Sequence, residues 1–318
     1  MAPLPIAFDR PVDLAGTLFP LRRGTGDPTA RIEGNLAWWT ARTTDGPATI
    51  RLEQIAPDLV EAAAWGPGAE AGLAAAPGLA GAIDDETGFD PSAHPVVAEI
   101  ARRAHVRLTR TPEVLPVLLA AICEQQVTGL EARRAWRGLV GATSEPAPAA
   151  PDGPALLLPP DAARVATLPS LEVHRIGMHQ RRSHVLREVA GRPRAVERLA
   201  TLPPDEARAW LQLFPGIGPW TAAEVARLAL GDPDAVSVGD YHLPNLVAWA
   251  LAGEPRGTDE RMLELLEPYR GHRGRVQRLL ESGSIRAPRY GPRADVRPIE
   301  RRRRATGARR DASRRDPR

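Results

Sequence analysis

The chain has 318 residues, which is long enough to bury a large core in two or three domains. No stretch approaches about 18 consecutive apolar residues, so we expect no membrane-spanning segment. The N-terminus lacks a basic flank followed by an apolar run, so we expect no secretory signal. The single cysteine, Cys123, excludes an internal disulfide and any cysteine-ligated iron–sulfur cluster or zinc knuckle within one chain. We expect Cys123 to be a buried, inert thiol.

The charge of the chain is unevenly distributed. All 42 basic residues are arginine, so no lysine amine exists for Schiff-base chemistry. Residues 286–318 carry 13 arginines against four acids, a net of +9, whereas the whole chain carries +3. Subtracting +9 from +3 leaves about −6 for residues 1–285, so any nucleic-acid surface on the folded body must be a local patch.

The first part of the chain indicates an antiparallel sheet. Three strand-like runs are separated by turns rich in Gly, Asp and Pro: residues 12–21, 31–42 and 49–54. Residues 57–80 are Ala-rich and interrupted by Gly, which favours short helices that cover one face of the sheet. The acidic stretch 84–91 indicates a boundary. We therefore predict an N-terminal sheet-plus-helix domain at residues 1–92.

From residue 94 onward the apolar residues recur at helical spacing. The predicted helices cover residues 94–104, 112–122, 126–140, 161–167, 178–190, 194–201, 204–213, 219–230, 241–252, 258–267 and 272–281. Between them, residues 141–160 are rich in Pro, Ala and Gly, which predicts an exposed loop. The predicted fold class is α+β, with the sheet domain followed by an all-helical core at residues 93–285. Residues 286–318 combine low hydrophobicity with like charge and should form a disordered tail.

A turn at residues 213–221 (Leu-Phe-Pro-Gly-Ile-Gly-Pro-Trp-Thr) joins two of the predicted helices. Pro215 and Gly216 end the first helix, and Pro219 suits the first turn of the second. The free N–H groups of the new helix, at the positive end of its dipole, favour a phosphate. An ordinary helix–turn–helix corner has the same pattern. The downstream Gly-Asp-Tyr turn, which contains Asp240, makes the functional interpretation the stronger one.

These motifs resemble those of the helix-hairpin-helix DNA glycosylase superfamily, and most of all its 3-methyladenine DNA glycosylase II branch. The resemblance covers roughly residues 95–281 and is carried by four segments: 122–128 (the start of the wedge helix), 214–222 (the hairpin), 240–241 (the catalytic aspartate) and 269–273 (a late basic helix). It implies the α+β fold predicted above, with the helical domain as the glycosylase core.

The resemblance implies a monofunctional DNA glycosylase that flips a damaged, alkylated base out of the duplex and hydrolyses its glycosidic bond. Asp240 would stabilise the cationic sugar and activate the attacking water. A plain helix N-cap would also explain this aspartate. Bifunctional relatives carry a lysine where this chain has Trp220, so we expect no strand cleavage.

The resemblance also assigns the remaining site residues. The base pocket would be lined by Trp220, Tyr241, Glu224 and Arg278. Contacts to DNA would come from Gln126, Gly216, Gly218, Thr221, Arg270 and Arg273. A monovalent cation would be held by the backbone carbonyls of Gln212, Phe214 and Ile217. For Glu224, which is four residues after Trp220, an ion pair with Arg227 on the helix surface is the alternative.

Two other functions fit the sequence. The same fold could act on deaminated bases, or the chain could bind DNA structures with little catalysis. Asp240 argues against a mere binder, because a carboxylate beside a polyanion is unfavourable. We expect a monomer that needs no cofactor, apart from the cation, and acts on damaged double-stranded DNA. We place it in the cytoplasm, associated with the nucleoid.

Overall fold

The computed structural model describes residues 3–288, so all but the first residues of the predicted disordered tail lie outside the described residues. Within that range a five-stranded antiparallel sheet precedes a series of helices, which confirms the α+β class. None of the helices in this range is long and apolar enough to cross a lipid bilayer.

The sheet has the strand order β1-β5-β4-β3-β2. Its strands are β1 (Leu4–Ala7), β2 (Ala30–Glu33), β3 (Leu36–Thr43), β4 (Gly46–Ala56) and β5 (Leu59–Trp65). In β5 the buried residues Val60, Ala62 and Ala64 alternate with more exposed ones, so one face of the sheet points into the core. Helix α2 (Ala69–Leu79) packs on this part of the sheet.

Two predictions for this region were wrong. Residues 12–21 form helix α1 (Leu14–Leu18) and one 3₁₀ turn rather than a strand. Asp13 accounts for the difference, because its side chain accepts a 2.8 Å hydrogen bond from the Gly16 amide and so caps the helix. Residues 59–65, which were predicted to be helical, form a strand.

The helices of the second part are close to those predicted. They are α3 (Pro95–Ala104), α4 (Leu115–Glu124), α5 (Gly129–Thr143), α6 (Ala162–Thr167), α7 (Ser170–Arg175), α8 (Gln180–Ala190), α9 (Pro193–Glu197), α10 (Pro204–Leu211), α11 (Pro219–Ala229), α12 (Leu243–Ala252), α13 (Asp259–Leu266) and α14 (Arg273–Ser282). Only α7 had not been predicted. Helix α4 is buried along most of its length and packs against α5, α8 and α11.

The segment between α5 and α6 is not the exposed loop that its composition predicted. Leu156 and Leu158 are buried in it. The Thr40 hydroxyl donates to the Leu157 carbonyl at 2.8 Å, so the segment is bonded to the sheet. Pro and Ala therefore mark irregular backbone here, and tertiary contacts decide that this backbone packs against the sheet.

Buried apolar side chains form two clusters. One joins the sheet to helices α4, α5, α8, α10 and α11, and the other joins α3, α12, α13 and α14. Residues 230–242 connect α11 to α12 and contribute side chains to both clusters. This connection carries Asp240, so the fold places the predicted catalytic residue at the seam between the two clusters.

Candidate functional site

The turn between α10 and α11, residues 212–218, is fixed by its own backbone and by α8. Gly216 has φ +92°, a left-handed conformation that favours glycine. A Cβ added to Gly216 would lie 2.4 Å from Cγ2 of Val185 in α8, so the position has no room for a side chain. Phe214 and Ile217 are each 5% exposed and anchor the turn in the core.

The start of α11 leaves backbone N–H groups available. Gly218 is the N-cap residue, and no side chain caps the helix. Pro219 follows in the first turn, where its lack of an N–H costs nothing. The next two backbone N–H groups are those of Trp220 and Thr221. They belong to the first turn of α11, where an N–H group has no hydrogen-bond acceptor within its own helix. This end of α11 therefore has the chemistry of an anion site.

Asp240 uses both of its carboxylate oxygens. Oδ1 accepts hydrogen bonds from the backbone amides of His242 at 2.7 Å and Leu243 at 2.8 Å. Oδ2 accepts a 3.1 Å hydrogen bond from the indole N–H of Trp220. The first pair holds the start of α12, and the third bond ties the carboxylate to the start of α11. The N-cap residue of α12 is His242, so Asp240 is not the plain N-cap that was the alternative, although its partly exposed carboxylate supports the start of that helix.

Ser237 anchors the loop that carries Asp240. Its backbone amide donates to Oε1 of Gln277 in α14 at 3.0 Å. Its hydroxyl donates to Oε1 of Glu224 in α11 at 2.5 Å. Its carbonyl accepts a 3.2 Å hydrogen bond from the amide of Asp240. Two helices therefore set the backbone position of Asp240 through one serine, and the sequence offered no motif that would have identified it.

Glu224 belongs to this internal network. Its Oε1 also accepts a 2.8 Å bond from Arg227, which is 3% exposed and bonds Glu281 at 3.0 Å as well. Burial raises the pKa of Glu224, but the charge of Arg227 and the Ser237 hydroxyl outweigh it and hold that pKa below its usual range. The pairing with Arg227 is present, although inside the protein and not on its surface. The contacts of Glu224 thus indicate structural support for the Asp240 loop instead of the predicted base selection.

The other residues predicted to line the pocket are spread apart. Trp220 does lie beside Asp240, as its hydrogen bond shows. Tyr241 is 82% exposed, and its ring packs edge-on against His242 at a centroid distance of 4.9 Å. Arg278 is buried and donates to the Gly16 carbonyl in α1, and burial lowers the pKa of its guanidinium to about 10. The structure therefore brings Trp220 to Asp240, leaves Tyr241 in solvent, and turns Arg278 towards the N-terminal part.

Gln126 lies in the turn between α4 and α5 and not in a helix start. A capping box formed by Thr128 and Glu131 begins α5 at Gly129, which explains the difference from the prediction. Gln126 is exposed and has φ +52°, an unusual conformation for a residue with a side chain. The wedge role of Gln126 stays a prediction, and its exposed side chain is accessible from solvent.

Thr221 is not an exposed DNA contact. Its side chain is 2% exposed, and its hydroxyl accepts a 3.0 Å hydrogen bond from the side chain of Gln125. Gln125 was not among the predicted site residues, because its partners are distant in sequence. Only the backbone N–H of Thr221 is left to face a phosphate.

The basic residues of the late helix are mostly paired. Arg270 is exposed and bonds Glu267 at 2.6 Å. Arg273 is 19% exposed in its side chain and bonds Asp234 at 2.5 Å. Arg275, the next basic residue, is 4% exposed and bonds Asp84 at 2.7 Å. The structure therefore disfavours the predicted phosphate contact for Arg273, because its guanidinium neutralises a partly buried carboxylate.

The carbonyls proposed for a monovalent cation lie in the turn before α11. The Phe214 carbonyl accepts a 3.0 Å hydrogen bond from the Ile217 amide, which closes the turn between these two residues. Among residues 3–288, no group of three or more His, Cys, Asp and Glu side chains is arranged to hold a metal ion. Neutral carbonyl oxygens fit a weakly held monovalent cation, so the donor set is compatible with the prediction.

Comparisons with known proteins define the fold. Neither protein-family models nor curated protein sequences match this chain. A 3-methyladenine DNA glycosylase from Archaeoglobus fulgidus superposes with a TM-score of 0.75 at 16% identity, covering 87% of this chain and 97% of that one. An 8-oxoguanine glycosylase/lyase from Clostridium acetobutylicum, in complex with double-stranded DNA, gives 0.67 at 13% identity, covering 86% and 91%.

A third similar structure is a 3-methyladenine DNA glycosylase from Schizosaccharomyces pombe in complex with abasic DNA. It gives a TM-score of 0.50 at 16% identity, covering 64% of this chain and 96% of that one. These identities are low, so the superpositions establish shared architecture and not shared substrates. The chain has the fold of DNA glycosylases, which confirms at the level of the fold the resemblance found in the sequence.

Proposed function

We propose that this chain is a DNA glycosylase that releases damaged bases from double-stranded DNA by hydrolysis. The observation that carries the proposal is the geometry of Asp240. Its carboxylate is held between the starts of α11 and α12 by the Trp220 indole and two backbone amides. A fixed carboxylate beside an anion-binding helix start is what hydrolysis of an N-glycosidic bond in a nucleotide requires.

Asp240 would act on the sugar. Cleavage of the glycosidic bond develops positive charge on the sugar ring, as in glycoside hydrolysis. A preorganised negative charge lowers the free energy of that transition state, and the same carboxylate can orient or deprotonate the attacking water. The Trp220 indole and the two backbone amides already hold the Asp240 carboxylate in place. In this proposal the carboxylate therefore needs no rearrangement when the nucleotide binds.

The helical pair α10–α11 would grip the DNA backbone as a helix-hairpin-helix unit. The amides at Gly216, Gly218 and the start of α11 would bind phosphate without regard to sequence. A monovalent cation on the carbonyls of the turn would add positive charge there. Gln126 would fill the gap left by the flipped nucleotide. In this proposal the sheet domain (1–92) supports the helical core (93–285).

The absence of lysine from the sequence supports a monofunctional enzyme. A glycosylase that also cleaves the strand through a lysine Schiff base needs an amine at the sugar, and position 220, beside Asp240, is a tryptophan. The indole N–H instead donates to the catalytic carboxylate. Water is therefore the proposed nucleophile, and base loss should leave an intact abasic strand.

For the substrate we propose alkylated bases. We also propose that the enzyme is a monomer and that it acts in the cytoplasm on nucleoid DNA. The sequence motifs support this class, because they resemble those of the 3-methyladenine DNA glycosylase II branch. The partly exposed Trp220 offers an aromatic face on which a flipped base can stack. Deaminated bases are the alternative substrate class.

The test is base release from defined substrates. Purified enzyme is incubated with duplex DNA carrying alkylated, deaminated or oxidised bases, and the released bases are identified by mass spectrometry. We expect 3-methyladenine or 7-methylguanine from wild-type protein and none from Asp240→Asn. Release of hypoxanthine or uracil alone would move the proposal to deaminated bases. DNA binding with no release from any substrate would contradict an enzymatic function.

A further inference from the structure

Gln125 links two turns that are far apart in the sequence. Its side-chain nitrogen donates to the Gly216 carbonyl at 3.0 Å and to the Thr221 hydroxyl at 3.0 Å. Gly216 belongs to the turn at residues 212–218, which we call the hairpin turn. Gln125 itself belongs to residues 125–128, which we call the wedge turn because it presents Gln126. One side chain thus bonds the two turns directly.

The direction of these bonds follows from chemistry. The Gly216 carbonyl can only accept, so the amide end of Gln125 that faces it must be the nitrogen. Thr221 is 2% exposed, and the bond to it is therefore shielded from water. The acceptor carbonyl belongs to Gly216, whose φ is +92°, so the bridge ends on the residue that shapes the hairpin turn.

Helix α8 contacts the hairpin turn and the end of α4, which leads into the wedge turn. Val185 fills the space beside Gly216. Arg182, one turn earlier in the helix, donates a 2.9 Å hydrogen bond to the Cys123 carbonyl at the end of α4. Helix α8 therefore contacts the hairpin turn and the end of α4 that leads into the wedge turn, and Gln125 joins the two turns directly. Movement of either turn would strain the bridge.

We infer that Gln125 is a positioning residue that couples the hairpin turn to the wedge turn. Binding of a phosphate by the hairpin turn then fixes Gln126 at the height of the base stack, ready to occupy the vacated space. This inference rests on the proposed function, since it assigns the two turns their roles on DNA. Gln125 itself touches neither the sugar nor the damaged base.

The energetics of flipping provide a test of the coupling. Extruding a base costs about a few kcal/mol in a paired site and less where the base is mismatched or unpaired. A wedge in the right place offsets that cost. Loss of coupling should therefore slow release of a paired lesion and have little effect on an unpaired one. Loss of chemistry should slow both equally, because bond cleavage follows flipping.

The experiment compares Gln125→Met with wild-type protein, because methionine keeps the length of the side chain and removes the donor. Single-turnover release is measured for one lesion placed either opposite its normal partner or opposite an abasic site. We expect Gln125→Met to slow release about tenfold in the paired duplex, which corresponds to about 1.4 kcal/mol, and less than threefold in the unpaired one. Asp240→Asn should slow both, and Gln180→Met, at an exposed glutamine, should slow neither.

Several outcomes decide the inference. Equal slowing of the paired and unpaired lesions by Gln125→Met, or no slowing at all, overturns it. If that variant fails to fold by thermal unfolding, Thr221→Val removes one of the two acceptors and should show a smaller effect with the same preference for paired lesions. If wild-type protein releases no base, the proposed function fails. Fluorescence of 2-aminopurine in its normal pair with thymine then still reports whether wild-type flips a base and Gln125→Met does not.

Discussion

Replacing Asp240 by asparagine separates catalysis from stability. The asparagine Oδ1 can still accept from the amides of His242 and Leu243, because an amide oxygen is an acceptor as the carboxylate oxygen is. The new side-chain NH₂ faces the indole N–H of Trp220, so one hydrogen bond is lost. We expect the free energy of unfolding to fall by about 1 kcal/mol for the lost bond and by about 0.3–1 kcal/mol for the lost charge at the start of α12.

The effect on the rate should be larger than the effect on folding. Removing a preorganised charge from the transition state should slow base release by at least about a hundredfold, or about 2.7 kcal/mol. Abasic-DNA binding should be retained, because the proposed phosphate contacts belong to the hairpin turn. Single-turnover release at saturating enzyme measures the effect on the rate, and chemical denaturation measures the effect on folding stability.

A second substitution sharpens this test. Trp220→Phe removes the indole donor, so the double variant Asp240→Asn/Trp220→Phe no longer places two donors face to face. Stability should recover part of its loss in the double variant, whereas the rate should stay low. An Asp240→Asn rate within about threefold of wild type would refute the catalytic assignment. Recovery of the rate together with stability would reduce Asp240 to a helix cap.

Three further predictions follow from the same structure. Borohydride should trap no covalent enzyme–DNA adduct through a side chain, because the chain contains no lysine; a trapped adduct would have to map to the N-terminal amine or contradict monofunctional hydrolysis. Deleting residues 286–318 should weaken binding to undamaged duplex and flatten its dependence on salt, while single-turnover release hardly changes; equal salt slopes would leave the tail without a role on DNA. Glu224→Gln should destabilise the fold by about 1–3 kcal/mol, because buried Arg227 loses a charged partner, and it should slow release of 7-methylguanine and hypoxanthine equally. Slower release of the cationic 7-methylguanine alone would instead support the predicted role of Glu224 in base selection.

Local sequence determined the elements that position the site. The Pro-Gly-x-Gly-Pro spacing predicted the end of α10, the turn and the start of α11, because proline and glycine constrain the backbone whatever surrounds them. Apolar spacing predicted the helices, and Cys123 is buried as expected, with burial raising the pKa of its thiol to about 12. The first 65 residues were less well predicted, since a short capped helix and a strand of alanines have weak local preferences.

The sequence by itself determined that Asp240 follows a helix that begins with a Gly-Pro pair, that no lysine is present, and that the chain carries motifs resembling those of DNA glycosylases. Only the tertiary structure decided which of the polar side chains are free. Arg273 and Glu224 look available in the sequence, but each is held by a charged partner. Gln125 was overlooked, although its amide bonds Gly216 across the fold. Ion pairs and hydrogen bonds form between groups about 3 Å apart in space. Whether a side chain already has such a partner therefore cannot be predicted from its neighbours along the chain.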